Sequence, residues 1–222
     1  MNNSKIELIN HMGDDLTVVN AARVSLDQQS ESFQEKDSGL IRFLLANRHM
    51  TPFEHVTFQF RITAPYKVAR QWMRHRAGSF NEVSSRYSIL LPEFYTPSIE
   101  EVRQQTGKPG GYKYKEATET LASSYLEALR NKHQVDWDFY KEWNDSGIAK
   151  ELISFELPMS TYTKFYWTVN LRSLLNFLSL RQDSQAMLEI KFLADKIPEK
   201  VSLYVPETLR IWNQLGRLGE DQ

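Results

Sequence analysis

The chain contains no cysteine among its 222 residues. A disulfide framework, cysteine-ligated zinc, an iron–sulfur cluster and a thiolate nucleophile are all therefore closed to it. It also lacks an excess of either charge. The formal net charge is −1, so no long-range field draws it to nucleic acid or an anionic membrane, and its arginines are not the footprint of a DNA-binding domain. Long apolar runs are missing. Nothing approaches the ~20 residues that span a bilayer, and the opening MNNSKIELIN has no signal-peptide core. The expectation is a cytoplasmic protein with neither nucleic-acid nor membrane partners. Metal spacing is absent as well: His49 and His55 bracket Glu54 without forming an HExxH pattern, and no metal is expected. Nor are there internal repeats, low-complexity tracts or a linker sharp enough to divide the chain. Its 222 residues suffice for one substantial core, and a single domain over 1–222 is expected.

What is there alternates between two periods. Ile6–Ile9 reads as an edge strand, and Val56–Thr63 alternates apolar with polar groups as a half-buried strand does. Thr161–Val169, aromatic and β-branched, reads as another strand, and Ser88–Leu91 as a short one. Helices are expected from a cap at Asp15 or Thr17 to about Val24, and over Gly39–Asn47 behind a cap at Ser38. The polar stretch Gln28–Asp37 between them reads as a surface loop. Tyr114 to about Trp143 carries Leu121, Tyr125, Leu126 and Leu129 as one apolar stripe. Ile148–Leu157, stopped by Pro158, continues the helical pattern, as do Gln185–Ile197 and Val201–Leu215. Pro92, Pro97 and the Thr106–Gly111 run mark a long loop over 99–112. The fold class expected is α+β, an antiparallel or mixed sheet with helices packed around it.

Two segments concentrate chemistry. A short helix set up by Pro65 turns Val68, Ala69, Trp72 and Met73 to one side and Lys67, Arg70, Gln71, Arg74 and His75 to the other. Arg76 follows, the pattern breaks at Gly78, and a polar loop runs through Ser79, Asn81, Glu82, Ser84 and Ser85 to Arg86. Guanidinium forks present paired donors in a plane, which suits phosphate and carboxylate oxygens. In the second segment Leu171, Leu174, Leu175 and Leu178 form the core stripe of a helix, while Arg172, Asn176 and Ser179 form a polar ridge. Arg181 projects along the line of Leu174, Phe177 and Leu178. Two readings follow. Its guanidinium either snorkels to water or enters a shielded pocket, where it needs an acceptor.

The string Arg74-His75-Arg76-x-x-Ser79-x-Asn81-Glu82-x-Ser84-x-Arg86-Tyr87 resembles the signature of the flavin-dependent thymidylate synthases. Further matching patches are Ala21–Ser25, Thr51-Pro52-Phe53-Glu54-His55, Tyr162-Thr163 with Trp167–Asn170, Arg172-Ser173-Leu174, Asn176-Phe177-Leu178, and Leu180-Arg181 with Asp183. Together they extend the resemblance over roughly Ile6 to Ile190.

The resemblance implies FAD as cofactor, NADPH as reductant, and transfer of a one-carbon unit from methylenetetrahydrofolate to carbon 5 of dUMP. The lack of cysteine agrees, since the other route to thymidylate adds a cysteine to the uracil ring. Residues matching the family's flavin contacts are Ser25, Thr51, Glu54, Arg74, His75, Arg76, Glu82, Asn170, Arg172 and Asn176. Gln71, Arg74, Glu82, Ser84, Ser85, Arg86 and Arg181 are the nucleotide-binding candidates. Among them, Ser84, Ser85 and Arg86 suit a phosphate, and Glu82 a ribose hydroxyl. Arg181 matches the arginine thought to favour ionisation at N3 of uracil, and is the catalytic candidate. Ser84 as nucleophile is discounted, because no adjacent base is evident. The family is homotetrameric with sites at subunit boundaries. The chain departs from it in having Ser154 where an arginine is usual, and Gln185-Ala186-Met187-Leu188 for His-Ala-Gln-Trp. These departures keep open a relative that methylates or hydroxymethylates UMP or another pyrimidine nucleotide. A nucleotide-binding protein without catalysis is the non-enzyme alternative.

Overall fold

A computed structural model describes residues 3–108 and 111–217. In chain order the first half comprises β1 (Lys5–Met12), α1 (Asp15–Arg23), α2 (Glu35–Ala46), β2 (Thr57–Pro65), α3 (Tyr66–Trp72), β3 (Ser79–Glu82), β4 (Arg103–Thr106) and β5 (Lys113–Glu116). The second comprises α4 (Glu119–Asp145), α5 (Lys150–Ile153), β6 (Tyr162–Asn170), α6 (Leu171–Arg181), α7 (Leu188–Ala194), α8 (Ile197–Val201) and α9 (Pro206–Gln214). The class is α+β. The chain divides into two compact units, one built mainly from Val83–Thr163, the other from Lys5–Thr63, Val68–Glu82 and the chain from Lys164 onward.

The second unit holds a four-stranded sheet in the order β1-β2-β6-β3. β1 runs antiparallel to β2, with a register shift at Ile9, and β3 antiparallel to β6. The period-2 signal of β2 is real: Phe58, Phe60 and Ile62 are wholly buried, while Gln59 and Arg61 face the other way. Against that face pack Trp72, Trp167 and Phe177, with ring centroids 4.5 Å apart for Trp72–Phe177 and 4.9 Å for Trp167–Phe177. Aromatic groups of this size bury more area than any other side chain, and they fix α3 and α6 to the sheet. In the first unit α4 buries Ala122, Leu126, His133 and Tyr140 along one narrow seam. His133 stacks on Phe94 at 4.7 Å, and its Nε2 lies 2.9 Å from Ser160 Oγ.

Several expected boundaries move, for local reasons. Helix α1 is capped by Asp14, whose side chain accepts from Thr17 N at 2.9 Å. Asp15 instead turns inward and accepts from Glu207 N and Thr208 N at the start of α9. Helix α2 starts at Glu35, ahead of Ser38, because the Asp37 carboxylate is buried, accepts from Gln34 N and pairs with Arg23. Ser88–Leu91 forms no strand: Leu90 N donates to the Tyr140 hydroxyl at 3.3 Å rather than to a ladder. Tyr114 belongs to β5, so α4 begins five residues later, behind Thr118. The long loop over 99–112 contains β4, which pairs with β5; residues 109 and 110 lie outside the described ones. Ile148–Leu157 is α5 followed by a 3₁₀ turn. The two C-terminal helices become three, since α8 and α9 each start afresh at a proline. The polar loop after Gly78 begins as β3, with Phe80 opposite Trp167.

Candidate functional site

Strand β6 runs straight into α6, and the junction builds a cavity in the second unit. Asn170 caps the helix, its Oδ1 accepting from Ser173 N at 2.9 Å. Arg172, Asn176 and Ser179 then recur along one side of α6, as their spacing requires. Facing them are the residues just past α3, where Arg74, His75 and Arg76 leave the helix. The space between measures about 1060 Å³. Five guanidinium groups line it, those of Arg48, Arg74, Arg76, Arg172 and Arg181, against a single carboxylate, Glu54. That carboxylate is already engaged, because Arg172 Nη1 donates to Glu54 Oε1. Trp167, Val169, Leu180 and Met50 supply apolar wall.

Arg181 is half-buried and lines this cavity. Its Nε donates to His75 Nε2 at 2.9 Å. Burial pushes the guanidinium pKa down. His75 stands edge-on to Phe177 at 4.8 Å. Burial, and then the neighbouring Arg181 charge, pull its pKa down to about 4. The imidazole is therefore neutral at pH 7 and accepts a hydrogen bond without cancelling the arginine's charge.

A second cavity of about 660 Å³ adjoins the first and shares Arg48, Met50 and Arg172 with it. Ser25 and Thr51 line it, along with Leu26, Leu40, Phe43 and Leu44. Of the expected flavin-contacting residues, Glu54, Arg74, His75, Arg76, Asn170, Arg172 and Asn176 line the first cavity, and Ser25 and Thr51 the second. Glu82 lines neither; it is exposed on β3, opposite Phe165. Gln71 is half-buried on α3. Ser84, Ser85 and Arg86 belong to the other unit, in a turn where Ser84 Oγ accepts from Arg86 N at 3.2 Å. There Arg86 Nε donates to Glu151 Oε2 at 2.9 Å, an exposed ion pair. Ser154, the departure from the family pattern, donates its hydroxyl to Glu151 O. Sequence reasoning missed Arg48. Its signal is a charged residue directly behind Asn47 at a helix end, where glycine is commonest. No group of three or more His, Cys, Asp or Glu among the described residues could hold a metal ion.

An α+β fold that gathers five cations and amide side chains around one large cavity has the donor set that an extended anionic ligand needs. Pockets of this kind run to about 300–1,000 Å³ for drug-sized ligands, so a dinucleotide is a fitting size. A flavin dinucleotide matches the donor set, with guanidinium for its pyrophosphate and amides for its ring edges. The chain belongs to the flavin-dependent thymidylate synthase family. The family described as thymidylate synthase complementing protein matches residues 7–207. A flavin-dependent thymidylate synthase of Thermosipho africanus is 46% identical over 215 residues, covering 97% of this chain and 93% of the relative. The crystal structure of a UMP/dUMP methylase, PolB from Streptomyces cacaoi, bound with 5-Br UMP, matches with a TM-score of 0.89 at 34% identity. It covers 98% of this chain and 96% of that one. The same methylase bound with 5-Br dUMP matches with a TM-score of 0.89 at 35% identity over 97% of each chain.

Proposed function

We propose that the protein transfers a one-carbon unit from methylenetetrahydrofolate to carbon 5 of dUMP, giving dTMP, with FAD as cofactor and NADPH as reductant. The observation that carries this reading is the gathering of Arg74, His75, Arg76, Asn170, Arg172, Asn176 and Arg181 around one cavity. When bound and reduced, the flavin supplies the hydride that completes the methyl group. The chain's own part is binding and electrostatics. Arg74, Arg76 and Arg172 hold the dinucleotide's anionic bridge, with Ser25 and Thr51 in the adjoining cavity. Arg86 and the Ser84–Ser85 backbone take the nucleotide's phosphate, while Glu82 accepts a ribose hydroxyl and Gln71 faces the pyrimidine. Arg181, held by a neutral acceptor and only partly solvated, stabilises negative charge on the uracil ring and so raises the nucleophilicity of carbon 5. The absence of any thiol leaves this electrostatic route as the means of activating the ring.

We place the protein in the cytoplasm. No helix among the described residues is long and apolar enough to cross a membrane. A homotetramer with shared sites accords with the apolar side chains that α4 and the turn after α5 expose, Val135 at 67% and Phe155 at 81%. A second reading, methylation or hydroxymethylation of UMP, is favoured by Ser154 and by the Streptomyces methylase, whose structures hold both 5-Br UMP and 5-Br dUMP.

Titrating the reduced holoprotein with dUMP, UMP and methylenetetrahydrofolate and identifying the product tests both. We expect dTMP from dUMP; a product from UMP alone selects the second reading. A colourless preparation that takes up no added FAD would overturn both and leave a nucleotide-binding protein. Arg181→Ala should lower kcat by about a hundredfold or more while FAD content stays near that of the wild type. Equal loss of the two would remove its catalytic role.

A further inference from the structure

Arg48 stands where the backbone favours glycine. Helix α2 ends with Asn47 as its cap, and the next two amides turn back onto the helix: Arg48 N donates to Leu45 O at 3.1 Å and His49 N to Leu44 O at 2.8 Å. This double closure requires a left-handed residue after the cap, normally glycine or asparagine. Arg48 adopts it with φ of 55°. For a side chain with a Cβ that conformation is disfavoured, because the Cβ crowds the following carbonyl oxygen. Strain of this kind persists where something else requires the residue.

Nothing among the described residues supplies that requirement. Among the described residues the Arg48 side chain makes no hydrogen bond or ion pair. The only carboxylate among the described residues that lines either cavity, Glu54, is held by Arg172. Yet Arg48 is one of just three residues that line both cavities, and with Arg172 it brings two guanidinium groups to their junction. The first cavity is rich in donors, and the second has the walls of an apolar slot, from Leu26, Leu40, Phe43 and Leu44. A ligand spanning both would carry rings at its ends and its charge near the middle.

We propose that Arg48 is a phosphate-binding residue for a dinucleotide that lies across the two cavities. This rests on the flavin reading of the site but adds a contact which the family signature does not contain. Its shared chemistry, a phosphate ester or pyrophosphate, has two sources, the bound FAD and the NADPH that reduces it.

The strain makes the test unusual, because removing the side chain should help the fold and harm the ligand. Arg48→Gly is expected to raise the melting temperature of the FAD-free protein by roughly 2–4 °C. The same variant should weaken binding of a phosphate-bearing ligand about tenfold or more, as loss of a charge-assisted hydrogen bond does. Arg48→Lys, which keeps the charge, should recover part of that loss. FAD affinity, followed by flavin fluorescence, reads the first source. The ratio of KM values for NADPH and NADH, which differ by one phosphate, reads the second. A loss confined to one arm assigns the contact to that ligand. A melting temperature that falls would make Arg48 a structural brace, and unchanged values in both binding arms would overturn the proposal. Failure of the wild type to bind FAD at all would instead count against the flavin reading itself.

Discussion

At the scale of single residues, the arginines differ in whether a carboxylate answers their charge. Arg181 is oriented by an imidazole that cannot neutralise it, since burial keeps His75 in its neutral form. Arg86 is the opposite case. Its guanidinium is occupied by Glu151, so on the proposed reading a nucleotide phosphate at Arg86 would have to displace a carboxylate. The pair is exposed, and exposed pairs contribute only about 0.2–1 kcal/mol. Glu151→Gln should therefore tighten binding of dUMP modestly, by about two- to fivefold, and leave deoxyuridine binding unchanged. Calorimetric titration with the two ligands checks this. Equal tightening of both would show that Glu151 acts on something other than the phosphate.

At the scale of elements, one glycine holds the signature segment against the sheet. A Cβ built on Gly78 would lie 2.8 Å from Trp167 Nε1 and 3.0 Å from the backbone oxygen of Thr168. Neither can yield: the indole is wholly buried among Phe60, Trp72 and Phe177, and the carbonyl belongs to β6. Gly78→Ala should thus push β3 away from β6, destabilise the protein by about 1–3 kcal/mol and lower FAD content through the displaced Arg76. Thermal unfolding and the flavin-to-protein absorbance ratio measure the two effects. A variant with normal stability would mean that the turn relaxes locally. Elements were legible where one period dominates. β2, β6 and α6 follow their patterns to within about two residues, because each has one face pressed into aromatic core. Ser88–Leu91 and the start of α2 were not, because their backbones are decided by distant partners: the Tyr140 hydroxyl for Leu90, Arg23 for Asp37.

At the scale of the whole molecule, stability is linked to pH through buried imidazoles. His75 in one unit and His133 in the other both have lowered pKa values, burial being the first cause in each. Above pH 6.5 both states of the chain hold neutral imidazole and nothing changes. Below it the unfolded chain takes up protons that the folded one refuses, so stability falls as pH drops from 6.5 towards 4. For His75, half-exposed, the loss should be on the order of 1 kcal/mol after solvent screening. Denaturant melts at pH 7 and pH 5 measure it, and His75→Gln should flatten the dependence. An unchanged slope would mean that His75 titrates normally. What the sequence determined by itself was the chemistry on offer: no thiol, guanidinium groups at helical spacing, and the periods of the main strands and of α6, all of which are local properties of residue type and order. Only the tertiary structure decided which groups meet. Arg181 finds His75 from 106 positions away and Arg172 finds Glu54 from 118, and no local period encodes such pairs, because they depend on how the sheet carries distant segments to one cavity.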